Sequence, residues 1–141
     1  MKMITISLAA ALIFGGTGAA LAEEMVVIVN KANDNAVDKS LIAKIYTGEA
    51  KLWAGGGTIV SYDLPEDNPI RAIFCTSTVG KSVGNMKALW AQNLFSGKAL
   101  PPKGASSDDE VKKAVSGNKN AIGYISASSL DASVKAVFNS K

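Results

Sequence analysis

The sequence predicts an α/β protein, an open three-layer sandwich with a mostly parallel sheet. Three observations predict it. Met25-Val26-Val27-Ile28-Val29 is a continuous apolar, β-branched run, the pattern of a strand covered on both faces. Strand-like runs and helical periodicities then alternate in the order β-α-β-α-α-α-β-β, which favours strands joined through helices. Finally, 48% of the 141 residues are hydrophobic and 19% charged, enough apolar material for a core.

The first 22 residues read as a signal peptide. Lys2 gives a positive start, residues 4–14 are apolar, and Ala20-Leu21-Ala22 is an A-x-A cleavage pattern. The apolar run is short for a membrane span, which needs about 20 residues. Residues 23–141 then form one domain, expected in the periplasm. The formal charge falls from +3 to +2 when Lys2 leaves, too little to point to nucleic acid.

The elements follow in order. After the first strand, residues 30–35 are a polar loop. Asp38 can cap a helix that places Val37, Leu41, Ile42, Ile45 and Tyr46 on one face, with Gly48 as its stop. Trp53 reads as a packing residue and 55–57 as a glycine turn. Residues 58–62 read as a second strand. Asn68-Pro69 fits a cap followed by proline at the first helical position, with Ile70, Ile73 and Phe74 facing the core. Ser82 opens the next helix, with Met86, Leu89, Trp90 and Leu94 as its stripe and Gly97 as its end. Residues 98–105 are an extended connection. Ser107 to Glu110 is a capping box, in which serine and glutamate satisfy two orphan donors reciprocally. Residues 121–125 and 133–138 are the last two strands.

Chemistry is limited by composition. The chain has no histidine and one cysteine. A His-based triad, a Cys/His zinc site and an internal disulfide are therefore excluded. Cys75 reads as a small buried hydrophobe. Asp108-Asp109-Glu110 diverge around a helix and are better explained as a cap than as a metal cluster. No catalytic constellation, metal site or cofactor motif is read, so the chain is expected not to be an enzyme.

Open α/β sheets bind ligands beyond the carboxyl ends of their strands. That singles out residues 30–35, 61–68 and 126–129, expected at one rim. The candidate ligand-binding residues are Asn30, Lys31, Asn33, Ser61, Asn68 and Arg71. The helix at Pro69 offers free N–H groups and its positive dipole end, and Arg71 lies in its first turn. Lys31 with Asn30 and Asn33 could meet an anion from the neighbouring rim. Four of them also have a purely structural use: Asn68 as a cap, Arg71 on a solvated face, and Asn30 and Asn33 in a turn built from their side chains.

The residues resemble a family. Val26-Val27-Ile28-Val29-Asn30, then Leu41-Ile42-Ala43-Lys44-Ile45-Tyr46-Thr47-Gly48 and Trp53, look like the first strand and the "IF-x-G…W" segment of the periplasmic phosphate-binding proteins of ABC transporters, within the type 2 periplasmic-binding superfamily. Asn120-Ala121-Ile122-Gly123-Tyr124-Ile125 looks like their "GAIGY" strand. Leu89-Trp90, Phe95-Ser96-Gly97-Lys98 and Pro101-Pro102 resemble a short, single-lobe branch. The resemblance covers residues 25–138. It implies one lobe of a type 2 periplasmic-binding fold and an exported solute-binding protein that reversibly holds a small oxyanion, phosphate above all. The implied partners are the membrane subunits of an ABC transporter or an envelope protein. One lobe offers half a cleft, so a homodimer or partner would have to close it. A lone lobe would bind at about −4 to −6 kcal/mol, high micromolar to millimolar. The family's Ser-Gly-Thr helix start is missing, since 66–71 read Glu-Asp-Asn-Pro-Ile-Arg. That favours the alternative, a ligand-free interaction module of the cell envelope on the same fold.

Overall fold

The computed structural model describes residues 23–141; the expected signal peptide and its cleavage point lie outside the described residues. Five strands form one sheet: β1 (Met25–Val29), β2 (Val60–Asp63), β3 (Lys103–Gly104), β4 (Ala121–Ser126) and β5 (Lys135–Asn139). Their spatial order is β3-β2-β4-β1-β5. β2 pairs parallel with both β3 and β4, whereas β1 pairs antiparallel with β4 and with β5. Four strands thus run one way and β1 alone runs against them. The sheet is mixed and open, with helices packed on it.

Every residue of β1 and of β4 is buried. That is what a run without alternation predicts, since both faces are covered. Burial fixes β1 in the sheet's interior and leaves its direction undetermined. The helices are α1 (Lys39–Thr47), α2 (Pro69–Phe74), α3 (Val83–Ser96) and α4 (Asp108–Ser116). The Asp38 carboxylate accepts from Leu41 N at 2.8 Å and starts α1. Gly48 ends it in the left-handed conformation at φ 88°. Asn68 caps α2, with Pro69 at its first position. A π-helical turn, Cys75–Val79, continues α2, and Ser82 caps α3.

Three details depart from the sequence reading. The α3 stripe is shallow: Met86 is buried, Trp90 is half-buried and Leu94 is 51% exposed. The connection after α3 contains β3, a two-residue edge strand. The capping box is also offset. Ser107 Oγ accepts from Glu110 N at 3.2 Å, but the Glu110 carboxylate accepts from the amide and hydroxyl of Ser106 rather than from Ser107 N.

The core joins the sheet to an aromatic cluster. Phe74 stacks on Tyr124 with ring centroids 4.0 Å apart, and Tyr46 meets Phe74 edge-on at 4.7 Å. The buried Trp53 donates its indole N–H to Asn120 O at 3.0 Å. Gly123 lets α4 approach β4 closely, since a Cβ there would stand 2.5 Å from Val111 Cγ1.

Candidate functional site

The carboxyl ends of β2 and β4 share one rim, because the two strands are parallel and adjacent. β2 ends at Asp63, and the chain turns through Leu64, Pro65, Glu66 and Asp67 into α2. This brings Arg71 back over the strand end. Arg71 donates through NH1 to Leu64 O at 2.8 Å, and its NH2 lies 3.5 Å from the Asp63 carboxylate. The two side chains are 16% and 17% exposed. Asp63 also accepts from the Tyr124 hydroxyl, whose oxygen takes the Leu64 N–H at 3.1 Å. Arg71 Nε is buried without a partner.

These contacts set the local electrostatics. Burial pushes the Asp63 carboxyl above its ordinary range, against the opposing pull of Tyr124 and Arg71. Burial, then the charge of Asp63, pushes the Tyr124 hydroxyl up strongly. The Cys75 thiol is raised by burial and then by Asp63, so it remains a buried thiol with no reactive character.

Beside this network lies an open cleft of about 700 Å³. Asp63, Glu66 and Arg71 line it from the β2–α2 turn, Lys87 and Trp90 from α3, and Glu110 from α4. Lys87 reaches Glu66 at 3.5 Å. The cleft therefore holds cations already matched by carboxylates. Among the described residues, no group of His, Cys, Asp and Glu could hold a metal ion, and no helix is long and apolar enough to cross a membrane.

The six predicted residues do not gather at this rim. Arg71 lines the cleft. Asn68 lies on the same loop, with its side-chain oxygen taken by Ile70 N at 2.8 Å. Ser61 lines a second cleft, between α1 and α3. Asn30, Lys31 and Asn33 sit at the opposite rim. Val29 pairs with Ile122 near the start of β4, while Met25 pairs with Ser126 at its end. The antiparallel setting of β1 is the physical reason. There Asn30 Nδ2 donates to Val115 O and Ser116 O and closes the end of α4. Asn33 is buried and accepts from Asn35 N at 2.9 Å, while Lys31 is exposed.

The third expected segment, 126–129, stays at the β2–β4 rim. Its donors are engaged by the protein's own anion: the Asp108 carboxylate accepts from Ser126 N at 3.1 Å and from the Ser129 hydroxyl at 2.6 Å. Lys87, Trp90 and Glu110 were not read as cleft residues. Only tertiary packing brings them together, and no spacing in the sequence signals it.

Comparison with solved structures places the architecture among periplasmic-binding folds. The chain is similar to an ABC-type phosphate transport receptor from Vibrio cholerae, with a TM-score of 0.64 at 22% identity over 82% of this chain and 45% of that one. It is equally similar, at TM-score 0.64 and 28% identity, to a protein assigned as a phosphate ABC transporter substrate-binding protein, with bound phosphate, from Clostridium perfringens, over 82% of this chain and 44% of that one. PstS from Borrelia burgdorferi matches at TM-score 0.57 and 17% identity, over 74% of this chain and 41% of that one. The chain thus spans less than half the length of these neighbours. No protein-family model matches it, and neither does any curated protein. The open α/β sheet is a solute-binding fold of the kind these phosphate receptors use.

Proposed function

We propose that this chain is an exported, non-enzymatic solute-binding protein that reversibly captures a small oxyanion, phosphate first, in the cleft beside Arg71. Capture would use the guanidinium N–H groups left over from Leu64 and Asp63, with Lys87 at the cleft wall. The observation that carries the reading is the shared architecture with phosphate receptors, one of them holding phosphate, together with a buried-sided arginine on the β2–β4 rim. As a single lobe it presents a half-open site, closed by a second copy or by an envelope partner such as a transporter's membrane subunits. The periplasm is its expected location.

The pairing of Arg71 with Asp63 favours a second reading, a ligand-free module of the cell envelope that docks on another protein. A titration separates the two. A ligand that binds only the folded state stabilises it by RT ln(1 + [L]/Kd), about 2 kcal/mol at thirty times Kd. Thermal unfolding in phosphate, sulfate and chloride at fixed ionic strength should show a saturable rise with phosphate. Arg71→Lys keeps a countercharge for Asp63 but lacks the fork geometry, and it should weaken that rise about tenfold in concentration. No saturable shift at tens of millimolar phosphate, on the order of the weakest Kd expected, rejects oxyanion capture and leaves the docking module.

A further inference from the structure

The second cleft is a different chemical environment: it shares Trp90, Leu94 and Pro101 with the first but none of its charged residues. It measures about 780 Å³ and lies between α1, β2, α3 and the α3–β3 connection. Its walls are Ile45, Ile59, Val60 and Trp90, and its mouth carries Leu94 and Leu100. Among the described residues, two lysines, Lys51 and Lys103, line it and no acidic residue does. Lys51 Nζ donates to Lys98 O at 2.5 Å, which holds a third lysine's backbone at the same corner.

The apolar surface here is unusual for this molecule. Five large hydrophobic side chains are exposed among the described residues. Two of them, Leu94 (51%) and Leu100 (83%), line this cleft. A concave apolar site of several hundred Å³ with a few polar groups at one side is the shape of a small-ligand pocket. Gathered exposed hydrophobics mark a surface that something else covers. The lysines without a compensating acid select the sign of its charge.

We infer that this cleft is a second binding site, for an amphiphilic anion: an apolar chain or ring lying against Ile59, Val60 and Trp90, with its anionic head between Lys51 and Lys103. Leu94 and Leu100 close over the apolar body. The other cleft holds three carboxylates beside its cations and suits no such ligand.

The probe is decanoate, with decylammonium as the same chain bearing the opposite charge. Trp90 lines both clefts and the other tryptophan, Trp53, is buried elsewhere, so a change in indole fluorescence reports on Trp90, and the variants below tell which cleft is filled. Decanoate below its own aggregation concentration should give a saturable change, and decylammonium should not. Lys103→Glu and Leu100→Asp alter exposed side chains and leave the fold intact. Each should weaken decanoate about five- to tenfold, the size expected for reversing one exposed charge contact or wetting one apolar contact. Inorganic phosphate should not compete, and Arg71→Lys should bind decanoate unchanged, which separates this test from that of the oxyanion site. Equal binding of decylammonium, or decanoate binding untouched by both variants, overturns the proposal. So does cosedimentation with phosphatidylglycerol vesicles without any response to free decanoate, which would make the corner a membrane-facing patch. Concentration-dependent dimerisation abolished by Leu100→Asp overturns it as well, since a second copy would then be the occupant.

Discussion

Gly123 offers the sharpest test of how the sheet and α4 fit together. A methyl group at this position would lie 2.5 Å from Val111 Cγ1, 3.5 Å from Val115 Cγ2 and 3.6 Å from Tyr62 Cβ. The first distance is more than about 1 Å inside the optimum for two carbons. Val111 is fully buried on α4, and a valine in a helix has essentially one χ1 rotamer, so it has no easy escape. Gly123→Ala must therefore push α4 off β4. Overpacking of this kind costs about 1–3 kcal/mol. With the fit to Val111 this tight, we expect about 2–3 kcal/mol and a fall in Tm of roughly 8–12 °C for a domain of this size. Urea unfolding should show the loss in midpoint at unchanged m. Val111→Ala alone should cost about 2 kcal/mol in lost transfer energy and cavity. Combined with Gly123→Ala it removes the clashing methyl, so the double variant should be at least about 1 kcal/mol more stable than the sum of the single effects predicts. A Gly123→Ala variant within about 0.5 kcal/mol of the parent, or strict additivity in the double, would refute the close approach.

The remaining expectations concern the rim and the helix caps. Tyr124→Phe strips Asp63 of a donor and Leu64 N of its acceptor; it should lower stability by about 1–3 kcal/mol in urea unfolding, and an unchanged midpoint would count against the network. Asp63 titrates above its ordinary range when folded, because burial outweighs Tyr124 and Arg71. Its contribution to stability is present below the unfolded pKa and is lost as pH rises through the folded value. The stability of the parent relative to Asp63→Asn should therefore decline across that acidic window, and a difference that stays flat or grows with pH rejects the assignment. Ser107→Ala removes the cap of α4 and should cost about 1 kcal/mol by thermal unfolding.

Local chemistry made part of this molecule legible in advance. Asp38, Asn68, Ser82 and Ser107 act as caps because a short side-chain acceptor before a helix has little else to do. The unbroken apolar run of β1 predicted burial on both faces correctly. Its direction was not legible, since strand orientation is set by partners about a hundred residues away, at Ile122 to Ser126 and Lys135 to Asn139. That one feature moved Asn30, Lys31 and Asn33 away from Arg71. The α3 periodicity misled for a related reason. It marks an apolar stripe, but the stripe borders two clefts instead of a packed layer, leaving Leu94 in solvent. Within the rim, Arg71 was legible as a cation near a helix start, whereas Asp63 as its partner emerged only from the turn that folds α2 back over β2.

That partner decides how any oxyanion would be held. Asp63 and a captured anion compete for the same guanidinium, and the competition has a definite pH signature. As pH falls toward the raised pKa of Asp63, its carboxyl takes up a proton and stops neutralising Arg71. The arginine stays charged throughout, so the field in the cleft turns more positive. Binding of an anion should in turn favour the protonated carboxyl, and by linkage each capture event draws in a fraction of a proton. Phosphate affinity should therefore rise on acidification. Calorimetric titrations in buffers of different ionisation enthalpy should record proton uptake beyond that of phosphate itself. Asp63→Asn fixes the competitor in its neutral form; it should bind more tightly than the parent near neutrality and lose the additional pH dependence. Tighter binding by the parent at neutral pH than by Asp63→Asn would mean that the carboxylate helps to hold the ligand, for instance by orienting Arg71, instead of competing with it for the guanidinium.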